Sequence, residues 1–261
     1  MTCSLVITTY NWKEALELVL LSVLNQTVRP SEVIIADDGS RDDTKELVNK
    51  FIKTSNVNII HSWQEDDGFR ASASRNKAIA KANGEYIILI DGDMILHSDF
   101  IKDHLLYASP NHFVQGSRIL LTEKKTEDVF LSKSVDFSFF ESGLQNRKNR
   151  IKLNLLTKVF SKSNKSLKGI KTCNMAFFKV DCMSVNGFNE DFVGWGREDS
   201  EFAVRLLNNQ ILRKNIKFSA IAYHIFHSEN SREMLEVNDK ILANAKNNNL
   251  KTCVNGINKY V

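Results

Sequence analysis

Apolar and polar positions alternate in blocks along the first half of the chain. Four short apolar runs rich in β-branched residues predict buried strands, at residues 4–8, 33–35, 57–61 and 86–90. Helices are predicted between these strands, at residues 13–26, 42–54 and 72–83. Gly84 is expected to end the third helix in a left-handed conformation. Strands and helices that alternate in this way predict right-handed crossovers and a parallel sheet covered on both faces.

The pattern is less regular in the second half. A helix is predicted over residues 98–108, and Pro110 should prevent its extension. Regular patterns return later, with strands near 173–179 and 216–223, a turn at Asn186-Gly187 and a helix over 198–209. The length of 261 residues fits one large domain or one domain with an appended lobe.

Composition is that of an ordinary globular protein, with 43% hydrophobic and 25% charged residues, which excludes disordered and fibrous classes. The formal net charge of +4 is too small to indicate a nucleic-acid partner, and we expect none. Four cysteines at wide, irregular spacing match neither a zinc site nor a disulfide framework. They are expected to be buried free thiols.

No segment has the pattern of a targeting or membrane-spanning sequence. Residues 1–9 lack the basic start of a signal peptide, and the longest apolar runs fall far short of the roughly 20 residues that a membrane span needs. The sequence therefore predicts a cytoplasmic protein, with peripheral attachment to the inner face of the plasma membrane as an alternative.

One segment, residues 144–171, is strongly basic and contains no acidic residue. Its basic residues are Arg147, Lys148, Arg150, Lys152, Lys158, Lys162, Lys165, Lys168 and Lys171. Three interpretations stay open: a solvated surface loop, a basic lid over a diphosphate, and a contact with an anionic membrane.

Acidic residues follow two of the predicted strands. Asp37 and Asp38 come directly after the second strand, and Asp91-Gly92-Asp93 follows the fourth. Because parallel sheets bind ligands at the carboxyl ends of their strands, these carboxylates are expected around one crevice. Two carboxylates separated by one small residue can reach the same hard cation, which takes oxygen ligands and bridges phosphates.

These motifs resemble those of the family 2 glycosyltransferases, which have the GT-A fold. The resemblance is carried by five segments in the family's order, at residues 6–11, 22–27, 33–40, 73–78 and 84–93. It implies an α/β fold of the Rossmann-like GT-A type, with a mostly parallel central sheet and helices on both faces. Nucleotide and metal would bind at the carboxyl ends of the strands.

A second resemblance covers about residues 170–230 and is carried by three segments, at residues 173–177, 187–190 and 194–201. This part is similar to the carboxyl-terminal segment of β-1,4-galactosyltransferases and bacterial chondroitin-polymerase-type transferases. Together the resemblances imply a single GT-A domain in three parts. These are a nucleotide-sugar-binding half at 1–120, a variable basic connecting region at 121–171, and an acceptor-binding and metal-completing half at 172–261.

The resemblance implies a donor site formed by the first half. Asp38 would accept a hydrogen bond from the uracil ring, and Thr8 and Tyr10 would line the base pocket. Arg75 would contact the uracil or the diphosphate. Arg70 belongs to a segment that resembles a donor-side loop of the chondroitin-polymerase-type relatives.

The metal site implied by the resemblance combines both halves. Asp93 would ligate Mn²⁺ or Mg²⁺, while Asp91, next to Gly92 in the donor site, would hold the ribose or reach the metal through water. His227 aligns with a late histidine ligand, and His224 with a further ligand that is a thioether in some relatives. The second histidine leaves the ligand number and the metal preference open.

The acceptor side implied by the resemblance begins with residues 194–199. Asp199 would be the base that takes a proton from the attacking hydroxyl, which approaches the anomeric carbon on the face opposite UDP. Glu198 would bind an acceptor hydroxyl, and Trp195 would present a flat apolar face to a sugar ring. Ser200 stands where relatives often have an acid.

The resemblance thus implies an inverting, metal-dependent glycosyltransferase that forms a β linkage. The donor would be a UDP-sugar, with galactose or N-acetylgalactosamine favoured. The acceptor would be a glycan or lipid-linked glycan of a surface polysaccharide or lipooligosaccharide. A nucleotidyltransferase would need a glycine-rich phosphate loop after the first strand, where Thr8-Thr9-Tyr10-Asn11 stands. A non-catalytic carbohydrate-binding relative is the other alternative, although every expected acid is present.

Overall fold

The fold, taken from a computed structural model, is described for residues 1–138, 140–228 and 231–261, apart from the side chains of Arg147 and Asn154. The first strands are β1 (Cys3–Thr9), β2 (Glu32–Asp37), β3 (Ile59–Trp63) and β4 (Tyr86–Asp91). The helices between them are α1 (Lys13–Leu24), α2 (Asp42–Thr54) and α3 (Ala71–Lys81). All seven elements are those that the sequence pattern predicts.

These four strands pair in parallel in the order β3-β2-β1-β4. Val6 of β1 lies between Ile34 of β2 and Leu89 of β4. Both faces of the strands are buried, because Val6 packs into one hydrophobic cluster while Leu5 and Ile7 pack into another. Strands that are buried on both faces are continuously apolar, which explains why their runs stand out in the sequence.

The second part of the chain adds shorter elements. The strands are β5 (Met94–Leu96), β6 (His112–Gln115), β7 (Ser117–Leu121), β8 (Leu144–Gln145), β9 (Ser163–Asn164), β10 (Asn174–Phe178), β11 (Leu212–Asn215) and β12 (Ile221–His224). The helices are α4 (Phe100–Tyr107), α5 (Glu123–Ser132), α6 (Asn154–Phe160), α7 (Lys179–Ser184), α8 (Glu198–Asn208) and α9 (Leu235–Asn247), with 3₁₀ turns at Arg147–Arg150 and Ile257–Tyr260. Of these, α4, α8 and β10 correspond to predicted elements, and β12 overlaps the end of a predicted strand.

The described strands form two sheets. The main sheet continues from β4 through β10, β6, β11 and β9, and β10 is antiparallel to both of its neighbours. The second sheet has the order β5-β12-β7-β8 and buries a separate cluster against α1 and α5. Its strands are only two to five residues long. Such short segments show no alternation that a sequence pattern could reveal.

The strand predicted over residues 216–223 is confirmed only for residues 221–223, which belong to β12, and is wrong for residues 216–220. Strand β11 ends at Asn215, β12 begins at Ile221, and the two strands belong to different sheets. Phe218 and Ala220 adopt positive φ angles of 66° and 45°, which an extended strand does not contain. Residues 216–220 form a crossing from the main sheet to the second sheet. Asp103 holds this crossing in place by accepting a hydrogen bond of 2.9 Å from the Ala220 N–H.

The conformation predicted for Gly84 is also wrong, because its φ lies outside the left-handed region. Helix α3 instead ends at Lys81, and the backbone of Ala82 after it is already extended. A Cβ at Gly84 would lie 2.5 Å from the backbone nitrogen of Ser4, so glycine is required for this close approach to β1. By contrast, the turn predicted at Asn186-Gly187 is confirmed, and both residues have positive φ.

The four cysteines are buried free thiols, as predicted, namely Cys3, Cys173, Cys182 and Cys253. None of the helices in the described part of the chain has the length and hydrophobicity that a membrane crossing needs.

Candidate active site

The crevice expected from the sequence lies where β1, β2 and β4 end. Thr8 of β1 pairs in register with Asp91 of β4, and the Gly92 N–H donates to the Thr8 carbonyl at 2.7 Å. A Cβ at Gly92 would lie 3.0 Å from that carbonyl oxygen, so the glycine lets the two strand ends come close. The Asp38 N–H, just after β2, donates to the Thr9 carbonyl at 3.0 Å. Acidic residues of both motifs thus meet at one edge of the sheet.

The sequence predicted that Asp37 would face the crevice, but its side chain does not. It is fully buried, accepts a hydrogen bond of 2.8 Å from the Ser40 N–H and lies 2.7 Å from Nε2 of His61. Asp37 therefore holds the turn after β2, because a buried carboxylate needs such partners.

Asp38 is fixed by donors from its own chain. Its two oxygens accept hydrogen bonds from Gln64 Nε2 at 2.6 Å and from the Arg70 backbone N–H at 2.9 Å. Burial raises the pKa of Asp38 to about 6, although both donors oppose the rise. The Arg70 side chain turns away and pairs with Asp67 at 2.8 Å. No motif marks Gln64, so the sequence analysis missed it.

Two exposed aromatic rings lie at the ends of two strands of the main sheet, Tyr10 just after β1 and Trp63 at the end of β3. Tyr10 is 48% exposed, and its hydroxyl donates a hydrogen bond of 3.0 Å to the Asp66 carboxylate. Trp63 is 51% exposed, and its indole N–H donates to the Ser40 carbonyl at 3.0 Å. Their polar atoms are anchored while much of each ring stays accessible, which suits a stacking surface. The sequence motif identified Tyr10 but not Trp63.

Arg75 joins the two halves of the site. Its buried guanidinium group donates to Thr8 Oγ1 at 3.2 Å, to Asp91 Oδ1 at 3.3 Å and to Glu198 Oε1 at 3.1 Å. Its carbon atom also lies 5.5 Å from the centre of the Phe188 ring. The acid at the end of β4 and the acid at the start of α8 are therefore held by one cation.

Asp93, His224 and His227 form a compact cluster. Nε2 of each histidine lies 3.3 Å from Oδ2 of Asp93, and one ligand atom from each residue falls within 4.8 Å of the others. The antiparallel pairing of β12 with β5 brings His224 level with Met94, the residue after Asp93. The Trp12 and His227 rings pack in a T-shaped arrangement, with centroids 5.8 Å apart.

The chemistry of this cluster fits a divalent cation. Asp93 Oδ1 is buried and has no hydrogen-bond partner among the described residues. His227 Nδ1 lies 2.6 Å from the Ser228 carbonyl, which only accepts, so Nδ1 carries a proton, and Nε2, once it has lost its own proton, is the atom that can ligate a cation. Burial raises the pKa of Asp93, but hydrogen bonds with both histidines outweigh burial and leave it below the usual range.

Residues 194–197 form the loop that leads into α8. Three of its residues, Gly194, Gly196 and Arg197, have φ angles of 73°, 106° and 77°. The Gly194 N–H donates to the Phe69 carbonyl at 3.1 Å, which ties this loop to the loop that precedes α3. Trp195 is 40% exposed, and the Arg232 guanidinium lies 5.7 Å from its ring centre.

Glu198 and Asp199 open α8. A helix N-terminus favours charged carboxylates, but burial and the neighbouring charge of Glu198 outweigh this effect and raise the pKa of Asp199 to about 7. Asp199 accepts a hydrogen bond of 2.6 Å from the Ser200 N–H. A carboxyl group with this pKa can exchange a proton near neutral pH.

Arg118 is a crevice residue that the sequence analysis missed. It pairs with Ala222 between β7 and β12, and Leu120 pairs with His224 two positions further on. Since alternate residues share a face, Arg118 and His224 project from the same face of the second sheet. The Arg118 guanidinium lies 3.9 Å from Cys173 Sγ and forms no ion pair with any described carboxylate. No motif marks it, and strand β7 itself was not predicted.

The basic segment, residues 144–171, is partly structural. Lys152 forms ion pairs with Asp99 and Asp103, and Arg150 is buried and donates to the Glu141 carbonyl at 3.1 Å. The side chain of Arg147 lies outside the described residues. Not all of the basic side chains are therefore available to a ligand.

Comparison with known proteins identifies the sequence family. The family model described as "Glycosyl transferase family 2" matches residues 4–173. A second model, described as "N-terminal domain of galactosyltransferase", matches residues 156–228, which include both histidines of the cluster. Chondroitin synthase from Escherichia coli is 30% identical over 237 residues, 85% of this chain and 34% of the synthase. The chain thus spans about a third of the length of this relative.

Solved structures support the fold. Staphylococcus aureus TarS 1-349 in complex with UDP-GlcNAc has a TM-score of 0.64 at 18% identity, covering 93% of this chain and 66% of that chain. A mannosyltransferase from Pyrobaculum calidifontis in complex with GDP-Man and Mn²⁺ has a TM-score of 0.58 at 18% identity, covering 87% and 57%. The α/β GT-A fold with a mostly parallel central sheet is confirmed.

Proposed function

Because the chain belongs to glycosyl transferase family 2, we propose that it transfers a hexose from a UDP-sugar to a carbohydrate acceptor, with inversion at the anomeric carbon. The observation that carries this proposal is the position of Arg75, which links Asp91 on the donor side to Glu198 on the acceptor side. Donor and acceptor acids then serve one crevice, as direct transfer between two substrates requires.

The donor nucleotide would bind at the ends of β1 and β2. Tyr10 and Trp63 would stack on the uracil, and Asp38 would accept a hydrogen bond from its ring N–H. Each carboxylate oxygen has two acceptor sites, so the contacts of Asp38 with its own chain leave capacity for the base. Arg118 would face the diphosphate, since its guanidinium is free of carboxylate partners among the described residues.

Asp93, His224 and His227 are the residues that would hold a divalent cation, with Mn²⁺ or Mg²⁺ as the expected ions. A cation bound there would offset the charge that develops on the departing diphosphate. Asp91, held by Arg75, would contact the ribose. The buried second oxygen of Asp93 supports this assignment, because an unpartnered carboxylate oxygen is costly without a ligand.

Asp199 would act as the general base. It would take the proton from the acceptor hydroxyl as that oxygen attacks the anomeric carbon, and UDP would leave on the opposite face. Glu198 is held by Arg75 and would position the acceptor through its remaining oxygen. The exposed part of the Trp195 ring would pack against the acceptor sugar.

Galactose and N-acetylgalactosamine are the donor sugars we propose, with a glycan or lipid-linked glycan of a surface polysaccharide as the acceptor. A screen of UDP-sugars for UDP release in Mn²⁺, with and without candidate acceptors, tests the class and the donor together. Release from one UDP-sugar, stimulated by an acceptor, is the expected result. No release from any nucleotide sugar would contradict the proposal.

The pH profile should reveal the titration of Asp199. Only the deprotonated carboxylate accepts a proton, so kcat/KM for the acceptor should rise with pH and level off above about 7. Saturating donor and Mn²⁺ at each pH keep histidine protonation from limiting the rate. A profile that is flat from about pH 5 to pH 8 would remove Asp199 from this role.

His227→Ala should weaken Mn²⁺ binding by at least the roughly 10–100-fold that follows from disturbing a coordination shell. Mn²⁺ titration of the folded variant by calorimetry measures this effect without relying on turnover. His112→Ala is a matched control, because His112 contacts Pro110 and Ser163 and lies outside the cluster. Equal Mn²⁺ affinity in both variants would show that His227 has only a structural role.

A further inference from the structure

An exposed apolar pair lies within the lysine-rich segment. Helix α6 leaves Leu155 73% exposed and Val159 59% exposed. These residues are four positions apart and therefore neighbours on one face of the helix. With the exposed Lys158 and Lys162 they form what we call the α6 surface. Adjacent exposed apolar side chains mark interaction sites more often than isolated ones do.

The α6 surface points away from the body of the protein. Thr157 is two positions from each member of the apolar pair, about 200° around the helix, and it is buried. Its hydroxyl lies 3.2 Å from the Ser219 hydroxyl. The Leu153 N–H, just before the helix, donates to the Phe218 carbonyl at 3.1 Å. These contacts occupy the inner face, so the apolar pair is left on the outer one.

The charge around the apolar pair is positive and uncompensated. Lys158, Lys162 and Lys165 are exposed and form no ion pair with any residue that the structure describes. The segment 144–171 contains no acidic residue that could neutralise them. Lys152 differs, because Asp99 and Asp103 already hold it.

We propose that the α6 surface docks on an anionic lipid bilayer. Apolar side chains flanked by lysines are typical of helices that lie in the membrane interface, where the apolar groups enter the acyl boundary and the ammonium groups meet lipid phosphates. A protein partner fits less well, since protein interfaces are depleted in lysine. Helix α6 rests on the crossing that leads into β12 and His224, so docking would hold the crevice near lipid-linked acceptors.

Vesicle flotation tests this proposal without any substrate, so its outcome is independent of the proposed transfer reaction. The chain should bind vesicles of phosphatidylcholine mixed with phosphatidylglycerol, and it should not bind phosphatidylcholine alone. Binding should weaken as salt is raised, because screening reduces attraction between exposed charges. Lys158→Glu/Lys162→Glu should lower the partition coefficient at least about 25-fold, at roughly fivefold for each lysine.

Leu155→Ser/Val159→Ser should lower the same partition coefficient about tenfold or more, because the side chains that enter the interface are removed. Leu131→Ser is the matched control, since Leu131 is 87% exposed on α5, outside the basic segment, and its loss should leave binding unchanged. Thermal unfolding checks that each variant is folded. Absence of binding to anionic vesicles at low salt would overturn the proposal. So would a dimer in sedimentation that the double serine variant dissociates, because a second copy would then cover the surface.

Discussion

Asp93→Ala should abolish measurable transfer, a loss of roughly a thousandfold or more, and activity should no longer respond to Mn²⁺. This loss is expected because a Lewis-acid cation lowers the activation barrier by several kcal/mol. Each 1.36 kcal/mol, in turn, corresponds to about a factor of ten in rate. The fold should survive, because the Asp93 carboxylate contacts only the two histidines within the described chain, and the Ile225 N–H bonds to its backbone carbonyl instead. Mn²⁺-dependent UDP release and far-UV circular dichroism measure the two parts of this expectation.

Asp43→Ala is the control for that experiment. Asp43 lies in the first turn of α2, where its carboxylate is at the surface and pairs with Lys13 at 3.2 Å. Exposed pairs contribute at most about 1 kcal/mol, so stability and turnover should change little. Near-normal Mn²⁺-dependent turnover in Asp93→Ala would show that the cation binds elsewhere or has no role.

Asp199→Asn should reduce kcat by roughly 10²–10⁴-fold while UDP-sugar and Mn²⁺ binding persist. The amide keeps the size of the carboxyl group and can still accept from the Ser200 N–H, but it cannot take a proton. Glu198→Gln is the informative comparison, because it should raise the acceptor KM more than it lowers kcat. Equal kcat losses in both variants would argue against a base role specific to Asp199.

The Asp199→Asn variant should also be more stable than the parent protein at alkaline pH. The folded-state pKa of Asp199 is raised to about 7, so ionisation of this group above that pH is less favourable in the folded state than in the unfolded state. This loss of folding stability is absent below the unfolded-state pKa and grows as pH rises to the folded-state pKa. Thermal unfolding should therefore show a larger gain in Tm for Asp199→Asn at pH 8 than at pH 4. An equal Tm difference at both would contradict the raised pKa.

The sequence was most informative where strands are buried on both faces. The apolar runs of β1, β2 and β4 are visible because nothing polar interrupts them, as in Val33-Ile34-Ile35. Strands β5, β7 and β8 of the second sheet were missed because such short strands take their pairing from distant segments, as β7 does from β12. In residues 216–220, apolar residues alternate with polar ones as they do in a strand, but the positive φ angles of Phe218 and Ala220 make this segment a connection between the two sheets.

The candidate site shows the same limit. Motif resemblance identified Asp93, His224 and His227, and the structure places them in one cluster. The burial of Arg75 could not be predicted, because one of its partners is Glu198, 123 positions away in the chain. Arg118 likewise reaches the crevice only through the pairing of β7 with β12. Contacts between distant segments decide such positions, and local patterns do not contain them.

The anomeric configuration of the product tests the central claim most directly. The wild-type chain would be incubated with Mn²⁺, an acceptor and the α-linked UDP-sugar that the release screen selects, and the product examined by proton NMR. Attack on the face opposite UDP, with Asp199 as the base, predicts the large anomeric coupling of a β linkage for a galactose-configured sugar. An α-linked product would contradict inversion, and with it the role assigned to Asp199.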